Sequence, residues 1–245
     1  MNPILSVVVP CFNEKNNLEK LALEFANAIK GKNVEVILVD NGSTDGSIEE
    51  IRKLEKKYSF IKDVRLEKNT GYGFGIYSGL KETKGEFVAW THADLQTPPK
   101  DEIKALEIAQ LHNDYENIFV KGRRTGRPFF DAFFSFGMVV FCSIVLGKWL
   151  SEINAQPNLF HKSFLAKMSN PPNDFSFDLY AFYIAKMEKM RIIRIPVVFG
   201  KRLEGESSWN SGIAAKMKFI KRTINFTIKL RKSLGEEYAE SGPQD

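Results

Sequence analysis

The sequence predicts an α/β fold, a mostly parallel sheet flanked by helices. Two observations carry that expectation. Over the first 125 residues, short β-branched runs alternate with longer segments whose apolar residues recur at helical spacing. Strand-like runs are also followed by clusters of polar, oxygen-bearing side chains, and open parallel sheets gather their ligands beyond the carboxyl ends of their strands. Residues 4–9 form the first run, closed by Pro10. Residues 14–30 follow with Leu18, Leu21, Leu23, Phe25 and Ile29 among charges, a helix by spacing. Residues 34–39 read as the second strand, and Ser43-Thr44-Asp45 as a helix start ahead of Ile48, Ile51 and Leu54. Residues 64–66 make a third strand. A glycine-rich turn and a helix ending near Lys84-Gly85 lead to strands at 87–90 and 118–120.

Composition bounds the function classes. Over 245 residues, 43% hydrophobic and 27% charged side chains suit a chain with a real core rather than a disordered one. The net charge of +5 is too small to indicate a nucleic-acid partner. Two cysteines, Cys11 and Cys142, make neither a disulfide framework nor a zinc cluster, which fits a reducing compartment. The apolar run at 4–9 has no basic leader and stops at Pro10, Asn13 and Glu14, so it is not read as a signal peptide.

The second half changes character. From Pro128 to Leu150 the only charges are Asp131 and Lys148, and the uncharged stretch 132–147 falls short of the ~18–20 residues a spanning helix needs. It reads either as a buried core helix or as a helix lying in a membrane interface. From Lys186 to Lys232 there are thirteen Lys or Arg against three Glu. Ile213, Met217, Ile220, Ile224 and Ile228 fall on one helical stripe there. Lys218, Lys221, Arg222, Lys229 and Lys232 gather on another face, as in a basic amphipathic helix suited to an anionic membrane surface. An ordinary surface helix packed on the domain has the same pattern.

Three clusters follow strands: Pro10-Cys11-Phe12-Asn13-Glu14, Asp40-Asn41-Gly42-Ser43-Thr44-Asp45, and Thr91-His92-Ala93-Asp94-Leu95-Gln96 before Pro98-Pro99. Each alone is ordinary turn chemistry; their joint occurrence is not. The order PCFNE, VDNGSTD, NTGYGFG and HADLQTPP resembles the family 2 glycosyltransferases of GT-A fold. The likeness is to the dolichol-phosphate mannose synthase and polyprenyl-phosphate glycosyltransferase branch. It covers residues 4–124 well and continues loosely through Phe177-Asp178 and residues 196–208.

The resemblance implies a metal-dependent inverting transfer of sugar from a UDP- or GDP-linked donor. The acceptor is a polyprenyl phosphate or, alternatively, a sugar hydroxyl of a glycan. It implies Asp94, Gln96 and His92 as ligands of Mg²⁺ or Mn²⁺, hard oxygen donors suiting those ions. Pro10, Asn13, Glu14, Asp40, Gly71, His92, Ala93, Asp94, Gln156, Arg202 and Ser207 would contact the nucleotide sugar. Arg124 and Ser135 would meet an acceptor phosphate, and Asp178 falls where such enzymes carry a base. Asp94, Arg202 and Asp178 form the implied catalytic set. The pattern also departs from the family. His92 replaces the first aspartate of the metal motif and removes a negative charge, Asp131 stands where a cation helps hold a lipid phosphate, and Asn154-Ala155-Gln156-Pro157 replaces a Thr-Ser-Gly-Phe pattern.

A binding protein with disabled metal chemistry is a competing reading, opposed by the presence of Asp94, Gln96 and Arg202. An NAD-dependent oxidoreductase would need its glycine loop after the first strand, where Pro10 stands. The expected organisation is a GT-A domain over residues 1–212 with an apolar insert at 127–150, then a basic amphipathic helix and polar tail at 213–245. The expected location is the cytoplasmic membrane surface, with room for a membrane-anchoring subunit.

Overall fold

The structure is a computed structural model. It describes residues 2–125, 129–198, 200 and 213–241 and, within its two longest helices, the side chains of residues 136–146 and 217–233. Seven strands form one sheet: β1 (Leu5–Cys11), β2 (Val34–Asn41), β3 (Ile61–Leu66), β4 (Phe87–Trp90), β5 (Ile118–Thr125), β6 (Asn158–His161) and β7 (Arg191–Val198). Their order is β3-β2-β1-β4-β6-β5-β7. All pairs are parallel except those of β6, which runs antiparallel to both β4 and β5. The helices between the strands are α1 (Lys15–Ala28), α2 (Ser47–Lys57), α3 (Tyr72–Lys81), α4 (Lys100–Gln110) and, beyond β6, α6 (Phe177–Met187).

Every residue of β2 is buried, as is β1 except for Pro10, which explains why both read as continuous Val-, Leu- and Ile-rich runs rather than alternating ones. Val7, Val9, Val36 and Leu38 meet Leu18, Leu21 and Phe25 of α1 and Ile51 and Leu54 of α2 in one core. All five strands expected from the sequence are present, and α1 lies within the expected 14–30 span. Strands β6 and β7 were not anticipated. The Asn-Leu-Phe-His of β6 is only four residues long, and β7 carries two arginines and Pro196. That proline is tolerated because β7 is the edge of the sheet.

Strand order reverses between β1 and β4: the chain passes from β1 outward to β2 and β3, then returns to the other side of β1. The crevice of such a sheet opens beyond the carboxyl ends of those two strands. Because β6 is antiparallel, its first residue lies at this same edge. Asn158 stands between Trp90 of β4 and Lys121 of β5 in register. Lateral neighbours project to one face of a sheet, so all three side chains share a face.

The chain divides into two compact units, residues 1–127 with 154–204 and residues 128–153 with 205–245. The second unit joins the apolar segment to the basic tail. Its helices α5 (Phe129–Leu146) and α7 (Ile213–Ser241) pack on each other, with Cys142 Sγ 3.4 Å from Thr227 Oγ1. Val139, Cys142 and Leu146 are buried at helical spacing, whereas Phe136 is 57% and Ile144 75% exposed. The apolar segment is therefore half core and half surface. On α7 the buried positions are Thr223, Thr227 and Leu230; Met217 and Ile228 of the apolar stripe are exposed. Among the described residues, no helix is long and apolar enough to cross a membrane.

One close approach fixes the β5–β6 junction. The Gly122 amide donates to the Pro157 carbonyl at 2.9 Å, and a Cβ on Gly122 would lie 1.9 Å from the Gln156 carbonyl oxygen. Gly122→Ala must push these strands apart and is expected to cost about 1–3 kcal/mol, the usual penalty of overpacking. Urea unfolding checks this; an unchanged midpoint would show that the junction yields freely.

Candidate functional site

The loops after β1 and β2 are tied to each other by side chains that cap backbone groups. The Asn13 amide donates to Ser43 Oγ at 3.0 Å, and Asn13 Oδ1 accepts from the Thr44 amide at 2.9 Å. The Glu14 amide donates to Ser47 Oγ, the Lys15 amide to Asp45 Oδ2, and Asp40 Oδ1 accepts from the Ser43 amide. Asn13 takes a left-handed φ of 56°, a conformation that asparagine tolerates better than most residues. Burial alone would raise the Asp45 carboxyl, but hydrogen bonds from the Ser47 side chain and the Lys15 and Ser47 amides hold it below its usual range. Cys11 lies beneath these loops. Burial, reinforced by Glu14, Asp40 and Asp45, pushes its thiol well up, so it is no thiolate nucleophile.

Gly71 starts α3 on the same edge. Its φ is 123°, and a Cβ there would lie 2.3 Å from the Asn173 carbonyl. The Phe74 amide donates to that same carbonyl at 3.0 Å. The glycine cluster is thus explained by close packing of α3 on the 172–174 backbone.

After β4, the chain turns through Leu95, which also has positive φ, and the Asp94 carboxylate accepts from the Gln96 amide at 3.1 Å. Asp94 and Ala93 are buried. Gln96 holds residue 200 twice: Gln96 Nε2 donates to the Gly200 carbonyl at 3.2 Å and the Gly200 amide returns to the Gln96 carbonyl at 2.8 Å. The imidazole of His92 stacks on Tyr72 at 5.4 Å, and Tyr72 stacks on Phe175 at 4.5 Å. Among the described residues no group of three His, Cys, Asp or Glu could hold a metal ion. A divalent cation would therefore rest on Asp94 with the Gln96 amide oxygen, whose nitrogen is already committed to Gly200. One carboxylate plus ligand phosphates and water is a donor set that Mg²⁺ accepts.

Asp178 belongs to the same face. It lies in the first turn of α6, is only 2% exposed, and accepts from Trp90 Nε1 at 2.8 Å and from Gln156 Nε2 at 3.4 Å. Burial raises its carboxyl, offset in part by the charges of Lys121 and His92 and by those two hydrogen bonds. Gln156 Nε2 also reaches the Tyr72 hydroxyl at 3.4 Å. Burial pushes that hydroxyl well up, and the charges of Asp178 and Asp94 add to the effect, so Tyr72 stands within electrostatic reach of both carboxylates.

The structure thus brings Asn13, Glu14 and Asp40 together in one set of loops and gathers His92, Gln156 and Asp178 around Tyr72. Pro10 ends the β1 run beside Asp40's neighbour Val39 in register. Arg124 lies near the carboxyl end of β5, partly exposed. Arg202 and Ser207 lie outside the described residues; Ser135 belongs to α5, but its side chain is outside them. Sequence reasoning missed Tyr72, Trp90, Lys121 and Asn158. The available signal was period two in β5, which sets Lys121 on the same face as Phe119 in an otherwise apolar run.

The sheet topology and its flanking helices make an α/β fold of the GT-A kind. The chain belongs to glycosyl transferase family 2, whose profile matches residues 6–132, just over half of its length. Among its relatives is the dolichol-phosphate mannosyltransferase of Pyrococcus furiosus, 29% identical over 235 residues, which span 95% of this chain and 65% of that protein. Another is the undecaprenyl-phosphate 4-deoxy-4-formamido-L-arabinose transferase of Edwardsiella ictaluri, 28% identical over 208 residues, 84% of this chain and 62% of the relative. The chain spans just under two-thirds of each of these two relatives. In fold it is similar to glucosyl-3-phosphoglycerate synthase from Mycobacterium tuberculosis, solved with Mn²⁺, UDP and glucosyl-3-phosphoglycerate. The TM-score is 0.69 at 15% identity, over 94% of this chain and 80% of that one.

Behind the Asp94 turn, Glu102 in the first turn of α4 is 1% exposed, and its Oε2 has no hydrogen-bond partner. Burial and the Asp101 charge push its carboxyl well above the ordinary 4.5, offset in part by the Thr91 hydroxyl. The folded state keeps a proton that the unfolded chain releases above that value. Glu102 therefore costs stability increasingly as pH rises from 4.5 through its folded pKa. Glu102→Gln, neutral throughout, is expected to be more stable than the wild type at pH 8 and similar to it at about pH 4. Denaturant titrations at both pH values check this; an equal difference at both would refute it.

Proposed function

We propose that the protein is a metal-dependent inverting glycosyltransferase that moves a sugar from a nucleotide-diphosphate donor, UDP- or GDP-linked, to a polyprenyl phosphate at a membrane surface. The observation that carries the donor half is the lacing of the loops after β1 and β2, which sets Asn13, Glu14 and Asp40 side by side at the carboxyl edge of the sheet. Asp94 belongs to the same edge, in the turn after β4. There Pro10, Asn13, Glu14, Asp40, Gly71 and Ala93 would hold the nucleoside and Gln156 the sugar. Bound Mg²⁺ or Mn²⁺ would offset the charge that builds on the departing diphosphate. Asp94 and the Gln96 amide oxygen are its proposed ligands; His92, stacked on Tyr72, is assigned to the ring platform rather than to the ion. Gln96 grips Gly200, two positions before Arg202 in the sequence, and Arg202 and Ser207 are proposed to act at the diphosphate. An oxygen of the acceptor phosphate attacks the anomeric carbon as the bond to the diphosphate breaks, and the electron pair leaves with the nucleotide. Arg124, near the carboxyl end of β5, is the proposed partner of the acceptor phosphate.

The acceptor half rests on the relatives' polyprenyl-phosphate substrates and on the second unit's surface. Of the nine large apolar side chains exposed among the described residues, five belong to this unit: Phe136, Ile144, Trp149, Met217 and Ile228. Exposed Lys218, Lys221, Lys229 and Lys232 accompany them on α7. Apolar anchors with cations suit the surface of an anionic bilayer. A second reading is favoured by Asp178 alone. A desolvated carboxyl with a raised pKa is what a sugar-hydroxyl acceptor requires of its base, whereas a lipid phosphate is already an anion.

Incubation with radiolabelled UDP- and GDP-sugars and a polyprenyl phosphate in detergent, with Mn²⁺, Mg²⁺ or chelator, tests the reaction. Label is expected in the organic phase only with metal, and Asp94→Ala is expected to remove metal-dependent donor binding in calorimetry. Donor hydrolysis without lipid product would move the acceptor to a sugar hydroxyl. The surface has its own test. Paired Met217→Ser and Ile228→Ser substitutions are expected to lower the partition constant for anionic vesicles, read by co-sedimentation, about thirtyfold or more, each exposed apolar anchor contributing roughly 1–2 kcal/mol. Equal sedimentation of variant and wild type would overturn the membrane role.

A further inference from the structure

Lys121 is the most unusual side chain in the sheet: a lysine with no exposed surface, in the middle of β5. Its ammonium donates to Asn158 Oδ1 at 2.5 Å and to the Ala155 carbonyl at 3.1 Å, and lies 5.3 Å from the centre of the Phe182 ring. From there a continuous chain of hydrogen bonds leads to the site. Asn158 Nδ2 donates to Gln156 Oε1 at 2.6 Å, and Gln156 Nε2 donates to Asp178 Oδ1 and to the Tyr72 hydroxyl, each at 3.4 Å.

We propose that Lys121 and Asn158 are positioning residues that set the polarity of this relay, so that Gln156 presents its amide nitrogen, and never its carbonyl, to Asp178 and Tyr72. This rests on the second reading above, in which Asp178 serves as base toward an acceptor hydroxyl. A carboxamide can turn over about its last bond with almost no change of shape, exchanging donor for acceptor. An ammonium has donors only. Facing Lys121, Asn158 must therefore offer its oxygen, since the flipped form would set two donors against each other. That fixes the Asn158 nitrogen toward Gln156, which must then offer its own oxygen, leaving its nitrogen for Asp178. Register holds the relay straight: Trp90, Asn158 and Lys121 stand abreast on three adjacent strands, so the cation and the Trp90 donor to Asp178 are fixed by one sheet. Without the cation, both amides could invert together, and Gln156 would point a carbonyl oxygen at a carboxylate.

The test reads the amide itself and needs no substrate. The side-chain NH₂ of Gln156, assigned by its disappearance in Gln156→Glu, is located in ¹⁵N-labelled protein by its nuclear Overhauser contacts, which in the wild type are expected to reach the Tyr72 ring. Asn158→Asp sets a carboxylate oxygen against Gln156 Oε1 and Lys121→Met removes the cation, so in both the amide is expected to turn its nitrogen toward position 158 and those contacts to weaken several-fold. In a transfer assay both variants are expected to lower kcat about tenfold or more with donor KM little changed, the mark of misplacement rather than lost binding. Asn158→Asp keeps an acceptor for Lys121, so its thermal midpoint should stay near that of the wild type and its result decides if Lys121→Met does not fold. Wild-type contacts from the Gln156 amide in the folded variants would overturn the relay, and so would unchanged kcat in a variant whose Gln156 amide has turned over. Normal transfer by Asp178→Asn would retire the placement of Asp178 and with it the role in catalysis, while amide contacts unchanged in the variants would overturn the relay itself.

Discussion

The need to pair every charge buried on one face of the sheet governs this molecule. Asp178 and Lys121 are both withdrawn from water, and an isolated ion there would be far too costly. The structure meets that demand with neutral intermediaries. Trp90 and Gln156 donate to the carboxylate, Asn158 and Ala155 accept from the ammonium, and the two charges offset one another across the amides. Much else follows from accommodating this set. The antiparallel β6 is inserted between β4 and β5, its first residue is an asparagine, and Gly122 admits the Gln156 backbone at contact distance.

That arrangement also links the sheet to the substrate edge. Tyr72 touches the network through its hydroxyl and the β4 turn through its ring, where His92 stacks on one side and Phe175 on the other. A histidine at the head of a metal motif would otherwise look like a lost ligand. Here it stacks on an aromatic face, and in the proposed reading Asp94 and Gln96 would form a sparse donor set in which phosphates complete the shell of a hard cation. The second unit follows a different logic. Its helices bury one face on each other through Cys142 and Thr227 and leave Phe136, Ile144 and Met217 exposed. Such a division suits a unit whose environment is partly apolar.

The sequence by itself determined the α/β class, the five strands from β1 to β5 and the loops that carry Asn13, Asp40 and Asp94. Those features are written in local patterns: unbroken β-branched runs for strands buried on both faces, helical spacing for α1 and α2, and turn residues where the chain reverses. The ordered motifs then led to family 2 glycosyltransferases, and the chain belongs to that family. Tertiary structure alone decided the rest. Strands β6 and β7 are too short or too polar to announce themselves, since their place depends on which neighbours they find. Only packing shows that Met217 and Ile228 of the α7 stripe are exposed while Thr223, Thr227 and Leu230 are covered. Lys121, Asn158, Gln156 and Asp178 are scattered over 58 residues of chain. Nothing local marks them as one relay, because a hydrogen-bond network is a property of strand register and helix placement, and those are fixed only when the whole sheet closes around it.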